Sequence, residues 1–240
     1  MNLRIELSTD TVDGAVTADE LGADRIELCS AGELGGLTPG PGLLAAVLAR
    51  CHRAEVHVLI RPREGGFRYT PSEVDAMLTD VRHAAISGAA GVVVGALTAR
   101  NELDRAVLAD LVAAADGLPV TVHRAIDVSA DPVTAVEALV PLGVRRVLSS
   151  GGAARAEDGV PVLRRMVAAA GDALAVMACG GIRPHNALAI ARATGVRDLH
   201  AAPRRRLPPP PPSAVDYGTY AVLDEEAAGA LVALARSAEG

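Results

Sequence analysis

The feature that most constrains this chain is an alternation repeated eight times. Short β-rich apolar runs fall near residues 3–8, 24–29, 55–61, 91–95, 119–124, 145–149, 174–179 and 198–201. Between them lie Ala/Leu-rich stretches with helical spacing, near 11–21, 41–51, 71–87, 102–115, 131–141, 159–170 and 184–194, with a last one near 224–237. The punctuation agrees: Thr70-Pro71-Ser72-Glu73 and Asp131-Pro132 read as helix starts, and Gly88, Gly143 and Gly195 follow helix ends. Eight strand–helix units are the pattern of a closed parallel barrel. An open doubly wound sheet usually carries fewer units and a GxGxxG turn after its first strand, which this chain lacks. The expected fold is α/β, a single parallel (β/α)8 barrel, and 240 residues suit one such domain. Residues 1–203 are expected to form the barrel core and 204–216 a proline-rich loop or linker, extended over Pro208–Pro212. Residues 217–240 supply a last helix packing on the barrel.

The strands carry more charge than a parallel sheet needs. Such strands are usually near-continuous apolar runs, because helices cover one face and the barrel interior lies behind the other. Here Leu3, Ile5 and Leu7 alternate with Arg4, Glu6 and Ser8, and Ile26 and Leu28 with Arg25, Glu27 and Cys29. Val56, Val58 and Ile60 oppose His57, Leu59 and Arg61, and Val120 and Val122 oppose Thr121 and His123. The apolar set must face the helices, so the interior is expected to be atypically polar, with Ser149, Cys179 and His200 also pointing inward. Buried charges are costly unless paired. An internal ion-pair layer accounts for Arg4, Glu6, Arg25 and Glu27, whereas Arg61, Arg63, His123 and Asp127 sit at carboxyl ends of strands, where barrel enzymes place their chemistry.

Two further stretches reach the same rim. Ser149-Ser150-Gly151-Gly152 ends the sixth strand, and Cys179-Gly180-Gly181-Ile182-Arg183 leads from the seventh strand to a helix. Glycine pairs entering a helix can present N–H groups to an anion, and Arg183 adds a forked donor. Ordinary strand-to-helix turns use the same residues. Arg68 and Tyr69, in the loop after the third strand, are placed either as a lid over the rim or as plain surface. His52, His83 and His185 fall on helices or their ends, where a solvated role is the default.

Composition removes several functions. The formal net charge of −6 and the lack of a basic block beyond Arg204–Arg206 leave no footprint for nucleic acid. All 23 basic residues are arginine, so Schiff-base chemistry has no lysine to use. No apolar run approaches the roughly 20 residues of a membrane span, and the start of the chain carries Arg4, Glu6 and Asp10, so a cytoplasmic protein without a membrane partner is expected. Cys29, Cys51 and Cys179 have no CxxC spacing and read as reduced thiols. Cys29 and Cys179 end strands three positions apart around the wall and Cys51 lies at the opposite end, so the three are not expected to converge. Cys29 with a neighbouring histidine is the metal arrangement that remains.

With these residues in view, the chain resembles the CutC copper homeostasis family. The segments that carry the likeness are GADRIELCSAGELGGLTP, IRPREGGFRYTPSE, VTVHRAIDVSADP, VLSSGG and CGGIRPHNA, in order over most of the first 200 residues. Glu27, Arg61, Arg63, His123, Arg124 and Asp127 match the family's motifs. The resemblance implies a TIM-type barrel, cytoplasmic, forming a homo-oligomer and linked to copper(I), with no reaction attached. This chain departs from the family at Arg68, where relatives often carry Cys, at Ile126, where they carry Phe, and at His200-Ala201-Ala202-Pro203.

Three functions compete. One is copper(I) binding through Cys29 and imidazole, which are suitable soft ligands. A second is metal-independent acid/base chemistry on a small anionic, perhaps phosphorylated, substrate. In it His123 is the general acid or base, Glu27 or Asp127 assists it, and Arg61, Arg63, Ser149, Gly151, Gly180, Gly181 and Arg183 hold the anion. The third is a scaffold whose proline segment recruits a partner.

Overall fold

The computed structural model describes residues 2–209, 211 and 218–238. Eight parallel strands close into a barrel in chain order: β1 (Arg4–Thr9), β2 (Arg25–Leu28), β3 (Glu55–Leu59), β4 (Gly91–Val94), β5 (Val120–Val122), β6 (Arg146–Ser149), β7 (Ala175–Ala178) and β8 (Asp198–Ala201). The connecting helices are α1 (Val12–Leu21), α2 (Pro41–Leu48), α3 (Pro71–Ser87), α4 (Arg105–Ala114), α5 (Pro132–Leu139), α6 (Ala156–Ala170) and α7 (Ala187–Thr194). β8 pairs with β1, setting Glu6 opposite His200, and that pairing closes the ring.

Local chemistry explains the helix ends. Thr70 and Glu73 form a reciprocal capping box at α3, and Asp131 accepts from Val133 and Thr134 at α5. Gly88 ends α3 at φ 91°, a conformation that suits glycine.

The core lies between barrel and helices. Leu3, Ile5, Leu7, Ile26, Val58, Val92, Val122 and Val147 belong to one buried cluster with Leu108, Leu111, Leu139 and Leu163 of the helices. Each such side chain contributes about 1.5–3 kcal/mol when fully buried. The alternation read from the sequence is thus the inside–outside code of the barrel wall. Within the wall, Arg25 bridges Glu6 and Asp198, and Arg146 reaches Asp198 at 3.5 Å and Thr121 Oγ1 at 3.1 Å. These paired charges form the ion layer. Its members differ from the expected set: Arg4 is exposed, and Arg146 and Asp198 take part instead.

One sequence expectation changes. Arg204–Arg206, assigned to a linker, form β9, which pairs antiparallel with β10 (Ala221–Leu223). The longer return contact was invisible because the segment has no strand-like periodicity. Pro210 and residues 212–217 lie outside the described residues, and with them much of the polyproline expectation. α8 (Glu225–Ser237) packs on α1 and β1. Among the described residues no helix is long and apolar enough to cross a membrane.

Candidate functional site

The site grows from three strand ends. β3 runs out into Arg61, which is buried at 8% exposure. Its Nη1 donates to the Leu34 and Gly36 carbonyls, both at 2.9 Å, and its Nη2 to Gly65 at 2.9 Å. Its Nε has no partner, and among the described residues no carboxylate pairs with the guanidinium. Carbonyl oxygens, with no carboxylate among the described residues, therefore hold this buried cation. Phe67 lies beside it, with Arg61 Cζ 5.4 Å from the ring centre, and the Tyr69 hydroxyl is buried near Arg61.

β5 ends at His123, whose ring stands 4.8 Å from the Phe67 ring. The Ala125 N–H donates to Nδ1 at 3.1 Å, so the neutral ring carries its proton on Nε2. Nε2 is buried without a partner. Burial, then the charge of Arg61, drives the imidazole down to about 3. At neutral pH His123 is a fixed hydrogen-bond donor. In this arrangement the ring presents a hydrogen and not a lone pair to the cavity. Arg61 and His123 line a cavity of about 320 Å³ with Glu27, Leu59, Phe67, Arg124, Leu148 and His200. Leu34 and Val128 flank its mouth, more than half exposed.

Between Glu27 and β1 lies a second set. His200 Nδ1 is 2.7 Å from Glu6 Oε1, and its Nε2 faces Glu27 Oε2 at 3.9 Å. Burial opposes the charge on His200, but Glu27 and Glu6 outweigh it and hold the imidazole above its ordinary value. Burial raises Glu27, with Glu6 adding to the effect. Glu6 is held near 2 because its contacts with His200 and Arg25 outweigh its complete burial. The donor atoms of Glu6, Glu27 and His200 all lie within 4.8 Å of one another.

A neighbouring cavity of about 250 Å³ shares Glu27, Gly35, Arg124 and His200 with the first. Cys29, Cys179, Gly180, Gly181, Arg183 and Arg204 also line it. The two thiols that strand counting kept apart therefore face one space. Burial, then Glu27, pushes Cys29 up to about 12, and burial raises Cys179 well above its ordinary value.

Other expected site residues are placed elsewhere. Arg63 turns to the helix layer: its Nε meets Glu73 at 2.5 Å and its other nitrogens hold the carbonyls of Glu64, Gly66 and Arg68. It knits the loop to the start of α3, and Arg68 reaches Asn101 instead of the rim. Ser149 does not point inward. On β6 the inward residues are Arg146 and Leu148, and Ser149 Oγ donates to Asp127 at 2.6 Å. The Ser150 and Gly152 N–H groups also donate to Asp127, and the Gly151 N–H to Ser149 Oγ. Those amides are spent inside the turn, so Gly151 offers nothing to an anion; a Cβ there would stand 2.4 Å from the Gly159 carbonyl oxygen. Asp127 also accepts from Arg124 Nε at 2.8 Å. Unlike Arg63 and Ser149, it also lines the first cavity, while its hydrogen bonds tie two loops together.

Two participants were missed. Arg124, given no cavity role from the sequence, makes a loop salt bridge to Asp127 and also lines both cavities, because the chain enters a 3-10 turn over Arg124–Val128 where strand parity no longer applies. His200 was placed inward by parity but given no role, since nothing in the sequence joins it to Glu6, 194 positions away.

A closed parallel barrel with cavities at the carboxyl ends of its strands, lined by arginine, histidine and carboxylate, defines a TIM-type barrel with a polar mouth. The chain belongs to the CutC family: the family model matches residues 3–204. It is 40% identical over 198 residues to the family protein CutC of Pasteurella multocida, covering 82% of this chain and 81% of that one. It is 41% identical over 200 residues to the human copper homeostasis protein cutC homolog, covering 83% and 73%. A solved CutC structure from Streptococcus agalactiae superposes with a TM-score of 0.79 at 29% identity, over 82% of this chain and 97% of that one. Thiamine phosphate pyrophosphorylase from Pyrococcus furiosus, at 18% identity and a TM-score of 0.62, covers all of this chain and 98% of its own; that likeness shows the fold alone.

Proposed function

We propose that this protein binds a small anionic molecule at the carboxyl mouth of its barrel and acts on it by proton transfer. The observation that carries the reading is Arg61, a buried cation with no counter-ion among the described residues, beside the His123 Nε2–H, likewise without a partner among them, on one cavity. An uncompensated buried guanidinium costs several kcal/mol, and an anion accepting from Arg61 and His123 offsets that cost. Glu27 and His200 stand on the same cavity as the groups able to exchange a proton. Inorganic phosphate is the first probe, followed by calorimetry. Arg61→Met is expected to weaken binding about 10- to 100-fold, the worth of one charge-assisted hydrogen bond. Equal affinity in wild type and Arg61→Met sinks the reading.

Copper(I) binding is a second reading, favoured by Cys29 and Cys179 facing one cavity with His200. Both thiols are protonated at neutral pH, so metal uptake must release protons and strengthen as pH rises. Competition against a copper(I) chelator at several pH values tests this. Affinity unchanged in Cys29→Ser/Cys179→Ser removes it.

A further inference from the structure

We propose that His200 is the proton-transferring group of this cavity, positioned by Glu6 and paired with Glu27, while His123 serves only as a donor; this rests on the small-anion reading above. The geometry separates the two imidazoles. The Ala125 N–H occupies Nδ1 of His123, so its neutral ring offers no lone pair to a bound molecule. His200 is the reverse case. Its Nδ1 lies 2.7 Å from Glu6 Oε1, an acceptor, so Nδ1 carries the hydrogen and the lone pair of the neutral ring sits on Nε2. Nε2 faces Glu27, and the ring lines both cavities.

The orientation is enforced from below. Arg25 Nε holds Glu6 Oε2 at 3.1 Å, and Arg25 is itself bound to Asp198. Glu27, Glu6 and His200 come from the adjacent strands β2, β1 and β8, whose backbone ladder keeps their spacing. A carboxylate that fixes the tautomer and orientation of an imidazole is a recurring device for acid/base work. The charged and titratable groups facing His200 are Glu6 and Glu27, with Arg124 and, across the second cavity, Arg183, Arg204 and the neutral thiols Cys29 and Cys179.

The separation of 3.9 Å is too long for a hydrogen bond between Nε2 and Glu27. Both line the first cavity, where a bound molecule can meet them. One member of the pair takes a proton and the other gives one. An X–H bond of the substrate breaks, a different one forms on the same molecule, no electrons are gained or lost, and no co-reactant is consumed. The substrate class is a small carboxylate or phosphate ester with an ionisable O–H, or a C–H beside a carbonyl.

Long-range 1H–15N correlation of the six histidines tests this on the intact protein, with His200→Asn for assignment. His200 is expected as the Nδ1–H tautomer, titrating above free imidazole. Glu6→Gln should lower that titration by about one unit or more and weaken the tautomer preference, whereas Glu27→Gln should lower the titration and keep the tautomer. Phosphate should perturb the Nε2 signal of wild-type His200. If Glu6→Gln fails to fold, Glu27→Gln carries the test. An Nε2–H tautomer, or a titration indifferent to both variants, overturns the inference even where phosphate binds normally. Failure of phosphate to bind overturns the anion reading and the transfer role with it, while the Glu6–His200 signature stands.

Discussion

Replacing His123 with asparagine should change how stability depends on pH. The imidazole is fully buried, lacks a partner at Nε2, and is driven from an ordinary 6.5 to about 3 by burial and Arg61. Its folded value is depressed, so the unfolded chain binds the proton first. The fold loses stability as pH falls below about 6.5, and the loss is complete near 3. The whole interval corresponds to about 5 kcal/mol, at about 1.4 kcal/mol per unit, and the portion between pH 7.5 and 5 to about 2 kcal/mol. Asparagine keeps an acceptor that Oδ1 can offer to the Ala125 N–H, so the fold should survive. The assay is urea unfolding followed by far-ultraviolet circular dichroism, because a chain with no tryptophan gives a poor fluorescence signal. Working above pH 5 leaves most carboxylates ionised. His200 contributes in the opposite direction, since its raised value favours the folded state once protonated. That contribution is common to both proteins and cancels in the difference. Wild type should therefore lose about 2 kcal/mol more than His123→Asn from pH 7.5 to 5. Parallel stability curves for the two proteins would refute the burial argument, and with it the assignment of His123 as a neutral donor.

Three other substitutions probe the frame around the site. Asp127→Asn puts an amide among the donors of Ser149, Ser150, Gly152 and Arg124, and should cost about 3 kcal/mol in urea unfolding; less than about 1 kcal/mol would show that the two loops do not depend on it. Gly159→Ala sets two effects against each other: alanine is the better helix former by about 1 kcal/mol, but its Cβ would stand 1.8 Å from the Ser150 carbonyl oxygen. Overlap with backbone should win and lower Tm, and a raised Tm contradicts the close packing. Asp19→Asn should cost about 1–3 kcal/mol, because this carboxylate collects the N–H groups of His52, Arg53 and Ala54 before β3; unaltered thermal unfolding would count against it.

The sequence by itself determined the architecture. Eight strand–helix alternations and the two-residue period within strands specify a closed barrel with its apolar face outward, because both are properties of local backbone direction. The same period put Glu27, Arg61 and His123 at the mouth. It did not extend to where the backbone left the strand: Arg124 enters a 3-10 turn and lines the cavities, and Arg63 turns back to pair with Glu73 in the first turn of α3. It failed at Ser149, where β6 starts at Arg146 and the inward set is Arg146 and Leu148. Only the tertiary structure decided which inward charges meet. The Glu6–His200 contact exists because β8 closes against β1, and the solitary state of Arg61 exists because its neighbours in space are carbonyls. Both depend on which distant strands and loops come together around the ring, and periodicity along one chain segment carries no record of that.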